Sequence, residues 1–319
     1  MHLLSCRVVA AVLLAAALCL PVEGKFANPT EPMPAERMVK NAEAWIKEKP
    51  TDAQGYYVLG RVHAMAWAYG PEITLIKPAD DKALPGFAAF QEVQVRHPDK
   101  APTDVDVEHL AQALKAYERA VELDPKNALY ALGYASTLQE AGARAGVQMV
   151  DYSMRGKEFA FPPGKTEALR KAAKDLGDSD PKVREAASKA LRDDMPLSLM
   201  EFGGCLKSDD PEVKARAEEV VRGYWDLKAL EVYRKAYEAA LPGDLTGRGR
   251  GPGADTQVSG EAGQAILEIF KTQPQAAKAD EAKEITANLA KLGGRMAITP
   301  VIFALSGCAS VCEAILRKA

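Results

Sequence analysis

The residues best able to do chemistry in this sequence are few and far apart. Its four histidines stand at positions 2, 63, 97 and 109, and none belongs to the H-E-x-x-H pattern of zinc proteases. No C-x-x-C, G-x-S-x-G or EF-hand pattern occurs. The acidic pairs Asp193-Asp194 and Asp209-Asp210 lie at expected helix boundaries, where helix capping explains them. We therefore expect no catalytic residue, no metal site and no cofactor, although carboxylates distant in sequence could still form a hydrolase site.

A glycine-rich segment is the remaining candidate for chemistry. Seven glycines fall between Gly243 and Gly263, together with Arg248 and Arg250. Phosphate binding is one interpretation, but the segment lacks the G-x-x-x-x-G-K-[ST] pattern and a strand before it. We interpret it as a surface loop.

Residues 1–24 have the pattern of a secretory signal peptide. Arg7 precedes the apolar run Val8–Leu20, and Val22 and Gly24 occupy the −3 and −1 positions of a cleavage site before Lys25. The run is short for a membrane-spanning helix. Lipidation at Cys19 is an alternative, but Leu18 is bulky for the residue before a lipidated cysteine. We expect a secreted or periplasmic protein.

Cleavage would leave three cysteines, Cys205, Cys308 and Cys312. An odd number permits at most one internal disulfide, and the sequence leaves the pairing open. The 319 residues carry a net charge of −3, which does not favour a nucleic-acid partner.

Helical periodicity dominates the mature chain, so the fold class expected is all-α. The stretch Tyr56–Tyr69 forms one apolar helical face, but Pro71 follows and the period is lost until Val107. A second amphipathic stretch, Val107–Leu123, ends at Pro125. We interpret residues 71–106 as an insertion between two helices of one unit. Apolar stretches ending at Pro50 and beginning at Ala128 predict flanking helices.

These two helices resemble the tetratricopeptide repeat. Tyr56, Leu59, Gly60 and His63 match the first helix of the repeat, with His63 at a tyrosine position. The second helix is matched by Ala113, Tyr117, Ala120 and Pro125. The resemblance covers about residues 35–142 and implies antiparallel helical hairpins of the α-solenoid type.

A different repeat follows. The segment Leu176–Leu191 recurs as Leu206–Val221, with Asp180-Pro181 aligned on Asp210-Pro211. Each Asp-Pro pair is suited to begin a helix, and Val183, Val213 and the alanines after them are expected to be buried. The pattern resembles HEAT-like helices, with two generic helical hairpins as the alternative.

We therefore expect residues 25–145 to form tetratricopeptide-like repeats and residues 146–242 HEAT-like repeats. Residues 243–319 would contain the glycine-rich loop, two helices and an apolar tail. Segment 146–165 reads as a break. The strand-like "AITPVIF" (297–303) in the tail could pair with "EITLIK" (72–77) or with "QEVQV" (91–95) in the insertion.

The resemblance implies a binding groove lined by the first helix of each repeat. Its partner-binding positions become Gln54, Tyr57 and Arg61 in one unit, and Ser136 and Gln139 in the next. Tyr57 and Arg61, one turn apart, would suit a peptide or an acidic chain end. The alternative is that Tyr57 packs under the insertion and Arg61 is solvated.

The function expected is an exported helical-repeat scaffold that binds a protein or peptide. A structural spacer is the first alternative, and an enzyme with its site between segments 71–106 and 146–165 is the second.

Signal-peptide cleavage gives the first testable prediction. N-terminal sequencing of the protein isolated from the producing cell's envelope or medium should begin near Lys25. Recovery of Met1 from that material would contradict the export hypothesis.

Overall fold

The helices lie in the parts of the chain that the computed structural model describes, residues 33–70, 72–73, 103–157, 162–241 and 254–293. All of them belong to one compact unit. The helices in these ranges are α1 Ala35–Glu48, α2 Ala53–Tyr69, α3 Asp104–Leu123, α4 Ala128–Glu140, α5 Gly146–Met154, α6 Lys165–Asp175, α7 Pro181–Asp193, α8 Leu199–Phe202, α9 Pro211–Ala240, α10 Ala254–Thr272 and α11 Ala279–Gly293. The expected all-α class is confirmed.

Extended pairing among the described residues is limited to two short strands. These are β1, Met33–Pro34, and β2, Glu72–Ile73, which pair antiparallel. The start of "EITLIK" therefore pairs with the residues before α1, where the sequence suggested the tail. Residues 294–319, like residues 1–32, lie outside the described ranges.

Side-chain caps fix where several helices begin. Thr103 and Asp106 form a reciprocal capping box at the start of α3, and Asp52 accepts a hydrogen bond from the Gln54 N–H at the start of α2. In α7 and α9, Asp180 and Asp210 accept from N–H groups of the first turn, with proline at the first helical position. The Asp-Pro starts expected from the sequence are confirmed.

The helices α2 and α3 form an antiparallel pair. A Cβ at Gly60 would lie 3.0 Å from Cγ of Tyr117 and 3.2 Å from the Ala113 carbonyl oxygen. Glycine at position 60 thus allows close approach of the two helices, and Tyr117 fills the contact. The predicted pairing across the insertion is confirmed.

The helix α4 pairs with α9, although 70 residues separate the end of α4 from the beginning of α9. Here Tyr233 donates a hydrogen bond from its hydroxyl to Oε1 of Gln139 (2.9 Å), and a Cβ at Gly142 would lie only 2.5 Å from Trp225 Cβ. The indole Nε1 of Trp225 donates to the Gly146 carbonyl (3.3 Å). A third pair, α10 with α11, brings Gly263 close to Ile285.

Three local predictions were wrong. Segment 146–165 contains the helix α5, and α10 begins at Ala254, inside the segment interpreted as a glycine-rich loop. The repeat expected at Leu206–Val221 does not end at Val221, because from Pro211 onwards it belongs to α9, one helix of 30 residues. It runs through Gly223, where a Cβ would lie 3.0 Å from the Arg192 side chain, so packing explains the glycine.

The buried face of the two Asp-Pro helices also differs in detail from the prediction. Ala187 and Ala217 are buried, whereas Val183 and Val213 are half-buried. Val213 packs at the turn after α6, 3.3 Å from where a Cβ of Gly177 would be. Of the aligned positions in the two helices, the alanines therefore lie in the interior and the valines at its edge.

Among the described residues, no helix combines the length and the apolar character required to cross a membrane. Of the cysteines that would remain after cleavage, Cys205 is described: it is free and half-buried, and its thiol lies 3.6 Å from the Ala173 carbonyl oxygen. Cys308 and Cys312 lie outside the described ranges.

The helix caps give a testable prediction. Asp180→Ala and Asp210→Ala should each lower the free energy of unfolding by about 0.5–2 kcal/mol, because each leaves N–H groups of the first turn without an acceptor. Asp209→Ala, at an exposed residue beside the second cap, is the matched control. Urea unfolding should separate the two cap variants from the control; three equal effects would contradict the capping role.

Candidate functional site

The predicted groove residues of the first unit lie along α2. Gln54 is exposed in its first turn. The Asp52 carboxylate beside it accepts hydrogen bonds from the Gln54 N–H (3.0 Å) and from Nε1 of Trp45 on α1 (3.2 Å). This acidic group is therefore engaged within the fold, and Gln54 keeps its amide side chain at the surface.

Tyr57 lies in a cluster of three tyrosines and is only 3% exposed. Its ring stacks on Tyr130 of α4, with centroids 4.7 Å apart, and is tilted against Tyr117 of α3 at 5.8 Å. Burial raises the pKa of Tyr57 to about 12, although the charge of Arg61 and a hydrogen bond with it oppose that shift. Tyr57 therefore has a packing role, as the alternative interpretation expected, but its contacts are two tyrosines of neighbouring helices.

Arg61 is half-buried beside this cluster, and its charge also acts on Tyr117. Its Nε is buried and has no hydrogen-bond partner among the described residues. A buried donor without an acceptor costs about 1–3 kcal/mol. This Nε is inaccessible to an acceptor from solution, so the exposed part of the half-buried Arg61 is the part that a partner could reach.

The second pair of predicted residues faces another helix. Gln139 accepts the hydrogen bond from Tyr233 of α9, and Ser136 also hydrogen-bonds to that tyrosine. Leu132, on the same face of α4, is 2% exposed. Because α9 packs against this face of α4, Ser136 and Gln139 are half-buried there and do not line an open groove. The structure places Ser136 and Gln139 against Tyr233, whereas Arg61 lies against Tyr57 and Tyr117.

Two histidines that the sequence treated separately meet between α2 and α3. The Nδ1 atoms of His63 and His109 are 2.9 Å apart, and the ring centroids are 5.2 Å apart. Burial, and then the neighbouring His109, lowers the pKa of His63 to about 4. Counting from the Gly60–Ala113 contact along an antiparallel pair would have placed these two residues at the same level.

Depressions between the helices are shallow and carry both signs of charge. One of about 500 Å³ lies between α2 and α3 and is lined by Tyr56, Leu59, Lys115, Arg119 and other residues of α3. Another of about 580 Å³ lies below the π-helical turn Ala141–Ala145, where Arg144 and Arg222 face Glu218 and Glu219. A cleft that focuses an electrostatic field on a small ligand is enclosed and lined by charges of one sign. Neither depression has both properties.

A buried polar cluster joins α9 to the end of α10. Asp226 is 6% exposed and accepts a hydrogen bond from the Thr272 hydroxyl (3.4 Å). Burial raises the pKa of Asp226, although Arg222, Thr272 and Gln273 oppose the shift. No sequence pattern predicted this cluster, because its members are separated by about 46 positions. Its hydrogen bonds connect two helices, so we assign it a structural role.

Within the described ranges, no three His, Cys, Asp or Glu side chains are grouped so that they could hold a metal ion. The segments 71–106 and 146–165, in which an enzyme site was considered, include residues outside those ranges. Comparison of the sequence with protein-family models and with curated proteins gives no match.

The different environments of Gln54 and Tyr57 give a testable prediction. Tyr57→Ala should lower the free energy of unfolding by about 3–5 kcal/mol, the range for truncation of a buried aromatic side chain. The control Gln54→Ala, one turn away on the exposed face, should change it by less than about 0.5 kcal/mol. If urea unfolding shows a cost for Tyr57→Ala no larger than that for Gln54→Ala, the buried packing role is wrong.

Proposed function

We propose that this protein is an exported helical-repeat scaffold that binds an extended peptide or a chain end of another protein. The proposal has two parts, the repeat type and the binding face. Each rests on different contacts.

The repeat type is supported by the recurrence of one contact pattern. In α3, Ala113, Tyr117 and Ala120 are buried at spacings of four and three, and Tyr117 packs at Gly60 of α2. In α9, Ala229, Tyr233 and Ala236 are buried at the same spacings, and Tyr233 packs on α4. This is the second-helix pattern of a tetratricopeptide repeat.

On this interpretation, the pairs α2–α3, α4–α9 and α10–α11 are three successive units. The first is split by residues 70–103, and the second by the segment that contains α5 to α8. The HEAT-like Asp-Pro helices are then α7, which lies inside the second split, and the beginning of α9. This arrangement replaces the expected boundary at residue 145, because α4 finds its partner beyond it.

The binding face that we propose consists of Gln54 and Arg61 on α2, and we name it the α2 face. The observation that carries the proposal is the position of Arg61, a half-buried cation one turn from Tyr57 on the same helix as the exposed Gln54. A guanidinium group presents its donors in a fork that matches a carboxylate. An acidic side chain or a C-terminal carboxylate of the partner would pair with the exposed part of the Arg61 guanidinium group, and the exposed amide of Gln54 would hydrogen-bond the partner's backbone.

The experiment uses a library of fluorescent peptides with free C-terminal carboxylates, tested for binding to the purified chain by fluorescence anisotropy. Arg61→Gln should lower the affinity of the chain for the selected peptides by about tenfold or more, since a hydrogen bond to a charged group contributes about 1.5–3 kcal/mol. Arg119→Gln, an exposed arginine in the depression between α2 and α3, is the matched control and should bind as the wild type does.

Peptide amidation divides the possibilities further. If amidated versions bind as well as free carboxylates but Arg61→Gln still weakens them, an internal acidic side chain is the anchor. Binding that is equal for wild type and Arg61→Gln would overturn the α2 face. The absence of any binding peptide would instead favour the spacer role.

A further inference from the structure

The contact between His63 and His109 restricts the protonation of both rings. With the Nδ1 atoms 2.9 Å apart, one nitrogen must carry the hydrogen and the other must offer its lone pair. The two neutral rings therefore hold different tautomers. A first added proton can enter at Nε2 of the donor ring without breaking the contact, whereas a second must take the accepting lone pair.

The contact between His63 and His109 joins the end of α2 to the beginning of α3. The helices α1 and α2 are joined by the short turn at residues 49–52, but residues 70–103 separate α2 from α3. No tight turn therefore holds the end of α2 to the beginning of α3. The hydrogen bond between His63 and His109 lies at that end of the pair, about one to two turns inside each helix.

The charged groups on the elements around the pair are engaged or exposed. On α3, Asp106 accepts from Thr103 in the capping box, and the exposed Glu108 lines a shallow depression with Arg155 at the end of α5. On α1, Arg37 and Lys40 are exposed, and on α2, Arg61 lies at Tyr57. After α4, Arg144 lies over the Trp67 ring and pairs with Glu140. The charge that bears on His63 is that of His109.

We propose that His63 and His109 form an acid-sensitive clasp, which holds the end of α2 to the beginning of α3 at neutral pH and releases it when both imidazoles are protonated. The released state places two imidazolium rings apart and in water. No covalent bond changes, and the two protons come from solvent. The clasp is independent of the peptide-binding proposal.

The direction of the pH dependence follows from the lowered pKa of His63. Burial and His109 hold that pKa at about 4, against 6.5 for an imidazole in water. The released state therefore binds more protons than the closed state between these values. The closed state loses stability as the pH falls from 6.5 towards 4, and the loss stops below the lower value.

Hydrogen–deuterium exchange with mass spectrometry tests the clasp on the purified chain. After correction for intrinsic exchange rates, protection in peptides covering 60–69 and 104–113 should fall by up to about tenfold per pH unit between pH 6.5 and 4. Peptides from α9 and α10 serve as the internal control. They should show no comparable loss.

His63→Asn is the matched variant, because an asparagine amide can donate to, or accept from, Nδ1 of His109 without gaining charge. Protection in that variant should stay constant over the same pH range. Equal loss in wild type and variant, or no loss in the wild type, would overturn the proposal. If His63→Asn does not fold, nitrogen-15 NMR of the wild-type histidines decides, since identical Nε2–H tautomers in both rings would contradict the clasp.

Discussion

The close contact between a glycine on one helix and an aromatic ring on a neighbouring helix is the interaction on which the rest of this fold depends. Tyr117 packs where Gly60 has no side chain, and the aromatic ring of Tyr237 lies near Gly263 in the same way. Each contact sets the distance between two helix axes and buries a large aromatic surface. Because Tyr57 and Tyr130 then stack beside Tyr117, the first contact also joins α4 to the pair.

Local sequence patterns were sufficient to predict the contacts made by adjacent or clearly periodic helices. The repeat positions of Gly60 and Tyr117 identified the pairing of α2 with α3 despite the insertion. The Asp-Pro pairs identified two helix starts. In each case, the residue pattern that supports the prediction lies within one helical turn of the residue that makes the contact.

The pairing of α4 with α9 could not be predicted in this way. Sequence periodicity shows that a helix has an apolar face but does not identify the helix that covers it. Two groove residues, Ser136 and Gln139, were therefore expected on an open surface although Tyr233 covers them. The burial of Tyr57 has the same origin, since it depends on Tyr130 from a different helix. What remains of the candidate site is Gln54, exposed in the first turn of α2, and Arg61, half-buried beside Tyr57 and Tyr117.

The interrupted helix pairs have a consequence for how the chain reaches its native state. Regular repeat arrays contain mainly contacts between neighbours in sequence, so folding can begin at one repeat and propagate along the array. Here the first pair is joined across 46 positions at His63 and His109, and the second across 94 positions at Gln139 and Tyr233. Such separations raise the contact order and slow folding, because long segments must be closed before the contacts form. During synthesis from the N-terminus, the apolar face of α4 would stay uncovered until α9 had been made. This face of the nascent chain would therefore need protection from aggregation.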